Sequence, residues 1–268
     1  MLVSVIITTK NEERNIERCL QSVLNQQYLK ENIEIIVVDN NSTDKTQEIA
    51  GKYTAYVFNK GPERCAQRNF GINMSRGDYF LYLDADMILS ENVLAECAQK
   101  VVEHPETAGL YIPEIIMGDS LFCKIRRFER SFYNATVIDA VRFIKKEAFR
   151  CVGGFDETLI SGEDWDFDKR IRHFGKTAII NSPLYHNESE IHLKQYINKK
   201  SYYADKINAY TKKWGAADPD LKKQFGMYYR FLGVFIENQK WKKLIANPFI
   251  TIGMYALRAL VGVKFLLR

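Results

Sequence analysis

Two aspartates one residue apart, Asp84 and Asp86, are the residues whose type and spacing most clearly indicate chemistry. They follow an apolar and aromatic run at residues 79–83, which is typical of a buried strand. Ligands of an open α/β sheet bind at the carboxyl ends of its strands, and both carboxylates can face one ligand where the backbone turns there. Paired carboxylates suit Mg²⁺ or Mn²⁺ carrying a diphosphate. The plain alternative is a strand followed by an acidic turn.

The elements around this pair alternate between strands and helices. Apolar, often β-branched, runs predict strands at residues 3–8, 33–38, 54–58, 79–83, 109–112 and 136–143. Helices are predicted at residues 64–74, 91–102 and 163–174. Such alternation is typical of a mainly parallel sheet with helices on both faces. Because neither G-x-G-x-x-G nor G-x-x-x-x-G-K-S/T occurs, a dinucleotide-binding fold and a P-loop are disfavoured.

Charge divides the chain of 268 residues, whose net charge is +5. Residues 191–268 carry 15 Lys/Arg against 4 Asp/Glu, whereas residues 1–190 carry 23 against 29. We therefore expect a catalytic body at 1–190 and a basic helical region at 191–268 that seeks an anionic surface. Five cysteines without C-x-x-C spacing favour a reducing compartment and disfavour structural zinc. The N-terminal run is expected to be a core strand and not a signal peptide.

Several segments together resemble the family-2 inverting glycosyltransferases with the GT-A fold. In family order these are residues 4–12, 34–46, 66–77, 83–87, 153–156 and 162–166. The remainder of the chain is only loosely similar to the helical tails of members that act on lipid-linked acceptors. The resemblance implies an α/β GT-A domain, a Rossmann-like nucleotide-sugar-binding fold with a mainly parallel mixed sheet, followed by a C-terminal helical membrane-associating region.

The resemblance also implies which residues bind the sugar donor. Thr8 and Glu12 would hold the ribose of the nucleotide. Asp39 would accept a hydrogen bond from the N3–H of a uracil, which favours a UDP-linked sugar. Arg68 and Asn69 would lie over the base or the diphosphate.

A divalent cation, Mn²⁺ or Mg²⁺, is the expected cofactor. In the resemblance Asp86 would ligate it, and Asp84 would bind the ribose, the metal or its water. His186 lies where family members often have a histidine that ligates the metal or contacts the diphosphate. A structural histidine is the alternative for His186.

Asp164 is the candidate catalytic base, because a hydroxyl that attacks an anomeric carbon must give its proton to a carboxylate within reach. Its neighbours Glu163 and Trp165 would orient the acceptor. The alternative for Glu163 and Asp164 is an acidic pair stabilised by a helix N-terminus. Since the chain has no evident second nucleophile, the anomeric configuration is expected to invert.

An Arg-rich stretch is the second candidate for the acceptor side. Arg126, Arg127 and Arg130 are interleaved with apolar and aromatic residues. They form either a solvated helix face or an acceptor-side helix whose arginines bind lipid phosphates at a membrane.

The apolar run at residues 249–263 contains one charge, Arg258. It is shorter than the roughly 20 apolar residues that span a bilayer, and Lys264 and Arg268 follow it. We expect an interfacial anchor that holds the protein peripherally on the cytoplasmic face of the cell membrane. The alternative is a helix packed on the body or on a second subunit, so an oligomer is possible.

The favoured function is transfer of a sugar from a nucleotide donor to a hydroxyl or phosphate of a membrane-bound, polyprenyl-linked acceptor in glycan assembly, with no nucleic-acid partner. One alternative is a non-catalytic membrane scaffold that retains the fold. Another is a phosphotransferase of the haloacid-dehalogenase kind, which also has two aspartates after a strand. The position of Asp84 far from the N-terminus, and Ile88 in place of Thr or Val, disfavour that kind.

Overall fold

The computed structural model describes the backbone of residues 1–266 and the side chains of residues 1–263. The strands of this part are β1 (Val3–Thr9), β2 (Ile33–Asp39), β3 (Val57–Asn59), β4 (Tyr79–Asp84), β5 (Met87–Leu89), β6 (Thr107–Tyr111), β7 (Glu114–Met117), β8 (Phe143–Lys145), β9 (Lys176–Ile179) and β10 (Leu184–Asn187).

The body carries helices α1 (Ile16–Leu24), α2 (Thr46–Gly51), α3 (Arg64–Met74), α4 (Val93–Glu103), α5 (Leu121–Arg130), α6 (Lys146–Val152) and α7 (Glu163–Phe174). The C-terminal region continues with α8 (Leu193–Lys206), α9 (Asn208–Trp214), α10 (Pro219–Phe225), a π-helical turn (Tyr229–Gly233), α11 (Val234–Ile236), α12 (Trp241–Ala246) and α13 (Pro248–Leu266).

A mixed sheet with the strand order β3-β2-β1-β4-β8-β6-β9 forms the centre of the described part. Strands β3, β2, β1 and β4 are parallel, β8 is antiparallel to both of its neighbours, and β9 is parallel to β6. A smaller sheet has the order β5-β10-β7. The predicted mainly parallel mixed sheet is therefore confirmed.

Strand β1 is buried along its whole length, which agrees with its run of mostly β-branched residues. Its register places Thr8 beside Asp84 of β4 and Thr9 beside Asp39 of β2. The carboxyl ends of three parallel strands therefore deliver polar side chains to one edge of the sheet.

The predicted strand at 136–143 is wrong over most of its length, because only Phe143 falls within a strand, β8. Turns occupy the preceding residues, where Thr136 N–H donates to Tyr133 O and Asp139 N–H donates to Thr136 O. Ala135 before them has a left-handed φ of 53°. The β-branched residues in this stretch thus serve packing and not a strand.

Helix α13 packs one face against α5 and α8. Met254, Leu257 and Arg258 on that face are buried, whereas Phe249 and Ile252 are 88% and 68% exposed. The inner face agrees with the predicted alternative of a helix packed on the body. No helix within residues 1–266 has the length and apolar character of a membrane-crossing segment. The Lys264 side chain and Arg268 lie outside the described residues.

Helix α3 approaches the sheet closely at Gly71. A Cβ there would lie 2.5 Å from Ile6 Cγ2 and 3.0 Å from Val38 Cγ2. We expect Gly71→Ala to lower the free energy of unfolding by about 1–3 kcal/mol, because the helix must move to admit the methyl group. Urea denaturation measures the change. The control is Gly51→Ala, where nothing lies within 4 Å, and which should be neutral or stabilising. A Gly71→Ala protein as stable as wild type would show that this contact is loose.

Candidate active site

The guanidinium of Arg68 lies at the centre of the site. Its Nη1 donates to Asp164 Oδ1 at 2.6 Å and its Nη2 donates to Asp84 Oδ1 at 3.2 Å. The side chain is fully buried, and its guanidinium carbon lies 4.5 Å from the ring centre of Tyr82 and 5.2 Å from that of Phe155. One buried cation thus joins the end of β4 to the start of α7.

Asp84 is ionised in this arrangement. Thr8 Oγ1 donates to it at 3.0 Å, and Arg64 Nη1 lies 3.8 Å from its second oxygen. Burial opposes the charged form, but the positive charges of Arg68 and Arg64 hold the pKa of Asp84 well below its usual range. The strand register thus brings Thr8 and Asp84, both predicted donor-binding residues, together at one sheet edge.

Asp86 lies beside His186, as the prediction of a shared site requires. His186 Nε2 donates to Asp86 Oδ2 at 3.1 Å, and Nδ1 donates to Glu114 Oε1 at 2.9 Å. Burial favours the neutral ring, but the hydrogen bonds with Asp86 and Glu114 raise the pKa of His186 to about 10. Protonated His186 thus places a positive charge between Asp86 and Glu114, next to the carboxylate that is predicted to ligate the metal.

The side chains at this point suit a divalent cation. Asp86 Oδ1 is buried and has no hydrogen-bond partner among the described residues, so it offers a free oxygen donor. A carboxylate and an imidazole suit Mn²⁺, although His186 must first release a proton. As they stand, no three or more His, Cys, Asp or Glu side chains within the described residues form a metal site.

Asp164 and Glu163 begin α7 and point to different partners. Glu163 Oε1 accepts from Arg64 Nη2 at 3.0 Å, and the same nitrogen donates to Tyr203 Oη at 3.2 Å. Burial and the neighbouring Asp164 raise the pKa of Glu163 to about 7. Asp164 instead accepts a hydrogen bond from Arg68, which also donates to Asp84 and so bridges the two carboxylates.

Asp39 and Glu12 occupy the other side of the sheet edge. The oxygens of Asp39 accept from Ser42 N–H at 2.7 Å, Ser42 Oγ at 2.5 Å and Gln47 Nε2 at 2.8 Å. Burial raises the pKa of Glu12, to which the charges of Asp86 and Asp84 add. Glu12 is thus near the aspartate pair, while Asp39 orders the loop that follows β2.

Asn69 makes structural contacts. Its amide nitrogen donates to Phe155 O at 2.9 Å and Glu157 Oε1 at 2.8 Å, and its oxygen accepts from Phe155 N–H at 2.8 Å. These bonds hold the turn before α7. A donor contact from Asn69 stays a prediction.

The predicted solvated face at Arg126 and Arg130 is wrong, because both side chains are buried in ion pairs. Arg126 lies 2.8 Å from Glu129 and 3.2 Å from Glu188, and Arg130 lies 2.7 Å from Asp139. Glu129 lies on α5 itself at helical i, i+3 spacing, whereas Glu188 and Asp139 lie outside the helix, so its pattern alone could not reveal them.

Arg127 also differs from the predicted solvated face. Its Nε donates to Ile116 O at 2.6 Å and its Nη2 donates to Gly118 O at 2.8 Å. These bonds tie α5 to the end of β7.

A cavity of about 630 Å³ opens beside the carboxylates of α7. Glu163, Asp164 and Trp165 form one wall, and Arg126 on α5 contributes to another. Residues of α8 and α13 complete it. The predicted base and acceptor-orienting residues therefore face a space large enough for a ligand.

Arg64 and three residues of the C-terminal region were missed in the sequence. Arg64 precedes Arg68 by one helical turn on α3, a spacing that could have revealed it. Lys200, Tyr203 and Arg230 also line the cavity. They lie in helices outside the family resemblance, where no local motif marks them.

Comparison with known proteins identifies the family. The family model described as "Glycosyl transferase family 2" matches residues 4–153, more than half of the chain. Glycosyltransferase AglE of Haloferax volcanii is 31% identical over 65% of this chain and 62% of its own length. The Methanococcus voltae dolichyl N-acetyl-alpha-D-glucosaminyl phosphate 3-beta-D-2,3-diacetamido-2,3-dideoxy-beta-D-glucuronosyltransferase is 26% identical over 75% of this chain and 71% of its own. This chain thus spans less than two thirds of the Haloferax enzyme.

Two solved structures share the fold. Mannosyltransferase PcManGT of Pyrobaculum calidifontis, in complex with GDP-Man and Mn²⁺, has a TM-score of 0.61 at 18% identity and covers 99% of this chain and 79% of its own. Staphylococcus aureus TarS 1–349, in complex with UDP-GlcNAc, has a TM-score of 0.58 at 20% identity and covers 91% and 75%.

These likenesses contradict the haloacid-dehalogenase alternative. The chain belongs to glycosyl transferase family 2 and has an α/β fold of the GT-A kind.

Proposed function

We propose that this protein is a metal-dependent, inverting glycosyltransferase that moves a sugar from a UDP-linked donor to a lipid-linked acceptor. The observation that carries this proposal is the bridge of Arg68 between Asp84 and Asp164. It sets the candidate base between the donor edge of the sheet and a cavity that can admit an acceptor.

The proposed reaction is a single displacement at the anomeric carbon. An acceptor hydroxyl oxygen attacks the anomeric carbon from the face opposite the diphosphate. Its proton passes to a carboxylate oxygen of Asp164. The bond between the anomeric carbon and the diphosphate oxygen breaks, and its electron pair leaves with the nucleoside diphosphate. One displacement inverts the configuration.

The cations at the sheet edge serve the leaving group. Arg68 and Arg64 lie within ion-pair distance of Asp84, where they can balance charge that develops on the diphosphate. A divalent cation held by Asp86 and His186, with Asp84 beside them, would supply further positive charge there. The Mn²⁺ in the Pyrobaculum complex supports this choice.

The choice of substrates rests on the relatives. The TarS complex contains UDP-GlcNAc. In this chain, a carboxylate oxygen of Asp39 would accept the hydrogen bond from the N3–H of a uracil. The Methanococcus relative is named for a dolichyl sugar phosphate, which supports a polyprenyl-linked acceptor here.

We expect Asp164→Asn to retain its KM for the donor and to lose kcat by roughly 100- to 10,000-fold, since the asparagine oxygen can still accept the hydrogen bond of Arg68 but cannot take a proton. Steady-state kinetics with a nucleotide sugar measure both constants. Glu163→Gln is the matched control, with a smaller loss of kcat. If Glu163→Gln loses more than Asp164→Asn, Glu163 is the base. If both variants keep full activity, neither carboxylate takes the proton.

Turnover should require a divalent cation that is held by Asp86. We expect Asp86→Ala to lower kcat by roughly 100-fold or more, because a metal ion contributes several kcal/mol of charge stabilisation. Calorimetric titration should also show the loss of Mn²⁺-dependent UDP binding. Asp78→Ala, at an exposed aspartate that directly precedes β4, is the control. Full activity in excess EDTA would rule out the metal.

We further propose that the outer face of α13 lies on an anionic leaflet at the cytoplasmic face of the cell membrane. Phe249 and Ile252 are exposed there, and Lys242 precedes them on α12. Apolar side chains with adjacent lysines are the pattern of an interfacial helix.

Sedimentation with phosphatidylglycerol vesicles tests this contact in the full chain. We expect Phe249→Ser with Ile252→Ser to weaken binding about tenfold or more, because two apolar side chains no longer leave water. Val102→Ser, at an apolar residue of α4 that is 70% exposed, should bind like wild type. Point substitutions are preferable to truncation because Met254 and Arg258 belong to the core. Equal binding by all proteins would refute the anchor.

A further inference from the structure

The cavity beside Asp164 combines two kinds of wall. Phe231, Leu257 and Val261 are apolar, and Gly262 adds no side chain. A Cβ on Gly262 would meet Phe231 Cζ only at 3.9 Å, so this end of the cavity is open. A ligand that fills the space must therefore be apolar over part of its length.

The cationic side chains of the cavity fall into two groups. Arg64, Arg126 and Arg258 are each paired, lying 3.0 Å from Glu163, 2.8 Å from Glu129 and 2.5 Å from Glu129 respectively. A carboxylate therefore already compensates each of these three charges when no ligand is bound.

Lys200 and Arg230 differ from the other three. Within the described residues, neither side chain lies in ion-pair distance of a carboxylate; each contacts an aromatic ring, Tyr196 at 5.5 Å and Tyr133 at 5.9 Å respectively. Lys200 is exposed to solvent and Arg230 is half-buried, and both line the cavity. The cavity therefore holds a surplus of positive charge that an anion would relieve.

We infer that this cavity binds the acceptor as an amphiphile, with a phosphate or diphosphate against Lys200 and Arg230 and an apolar chain along Phe231, Leu257 and Val261. This inference rests on the proposed function and deepens it, since it assigns the acceptor's anchoring groups. The bound phosphate would hold the attached acceptor group near Asp164. Lys200 and Arg230 are positioning residues and take no part in proton transfer.

Binding of farnesyl diphosphate tests the inference. Tryptophan fluorescence of a protein with Trp214→Phe and Trp241→Phe isolates Trp165, which lines the cavity. It reports binding in the presence of saturating UDP, so that the donor's diphosphate site is occupied. Farnesol and inorganic diphosphate each supply half of the chemistry. We expect both to bind roughly tenfold or more weakly than farnesyl diphosphate.

Two sets of variants separate the anion contact from the apolar contact. Lys200→Gln with Arg230→Gln should weaken farnesyl diphosphate binding by roughly tenfold or more, since two charge-assisted hydrogen bonds are lost. The single variant Lys200→Arg keeps the positive charge, so it should retain most of the wild-type affinity for farnesyl diphosphate. Val261→Phe should exclude the farnesyl chain while leaving inorganic diphosphate binding unchanged.

A matched control removes the same charge elsewhere. Lys212→Gln with Lys222→Gln alters exposed lysines outside the cavity, and it should bind farnesyl diphosphate like wild type. All variants should keep their melting temperature and UDP affinity, because none touches the donor edge.

The outcomes are distinguishable. If UDP binds but farnesyl diphosphate does not, or binds equally to the Lys200 and Arg230 variant, the cavity assignment fails and the proposed function stands. Equal weakening in the lysine control would mean that net charge alone attracts the probe, which also overturns the assignment. If wild type neither binds nor hydrolyses nucleotide sugars, the proposed function fails whatever farnesyl diphosphate does.

Discussion

A single buried charge, the guanidinium of Arg68, is the constraint on which the site depends. Removing such a group from water costs several kcal/mol unless carboxylates compensate it. Asp84 does so from the sheet and Asp164 does so from α7. Because Asp84 and Asp164 share this one buried guanidinium, the donor edge and the candidate base form one electrostatic unit. The packing of α7 on the body is thereby tied to the chemistry of the sheet edge.

The sequence predicted the sheet edge well because the geometry of parallel strands determines it. Thr8, Asp39 and Asp84 end three parallel strands, so their proximity follows from strand order. The helix predicted at 163–174 has the same bounds in the structure. The strand predicted at 136–143 failed because turn hydrogen bonds, which a β-branched pattern does not show, compete with strand pairing there.

The burial and pairing of the basic side chains depend on contacts between distant segments, which the sequence pattern does not show. The helical pattern predicted a solvated face for Arg126, but Glu188, which follows β10, forms an ion pair with it. The basic character of residues 191–268 likewise divides in the structure. Arg258 is spent on an internal ion pair with Glu129, whereas Lys200 keeps its charge for the cavity. Net charge predicts that an anion is attracted, and only packing decides where it binds.

Arg64 touches three parts of the molecule at once. It lies 3.8 Å from Asp84 on the donor edge, 3.0 Å from Glu163 in the cavity wall and 3.2 Å from the hydroxyl of Tyr203 on α8. A ligand that shifts α8 on entering the cavity would thus alter a contact of the donor carboxylate. Thermodynamic reciprocity then requires the donor to change the affinity for that ligand by the same factor. Through one side chain, the affinity of the sheet edge for its ligand and that of the cavity for its own become coupled.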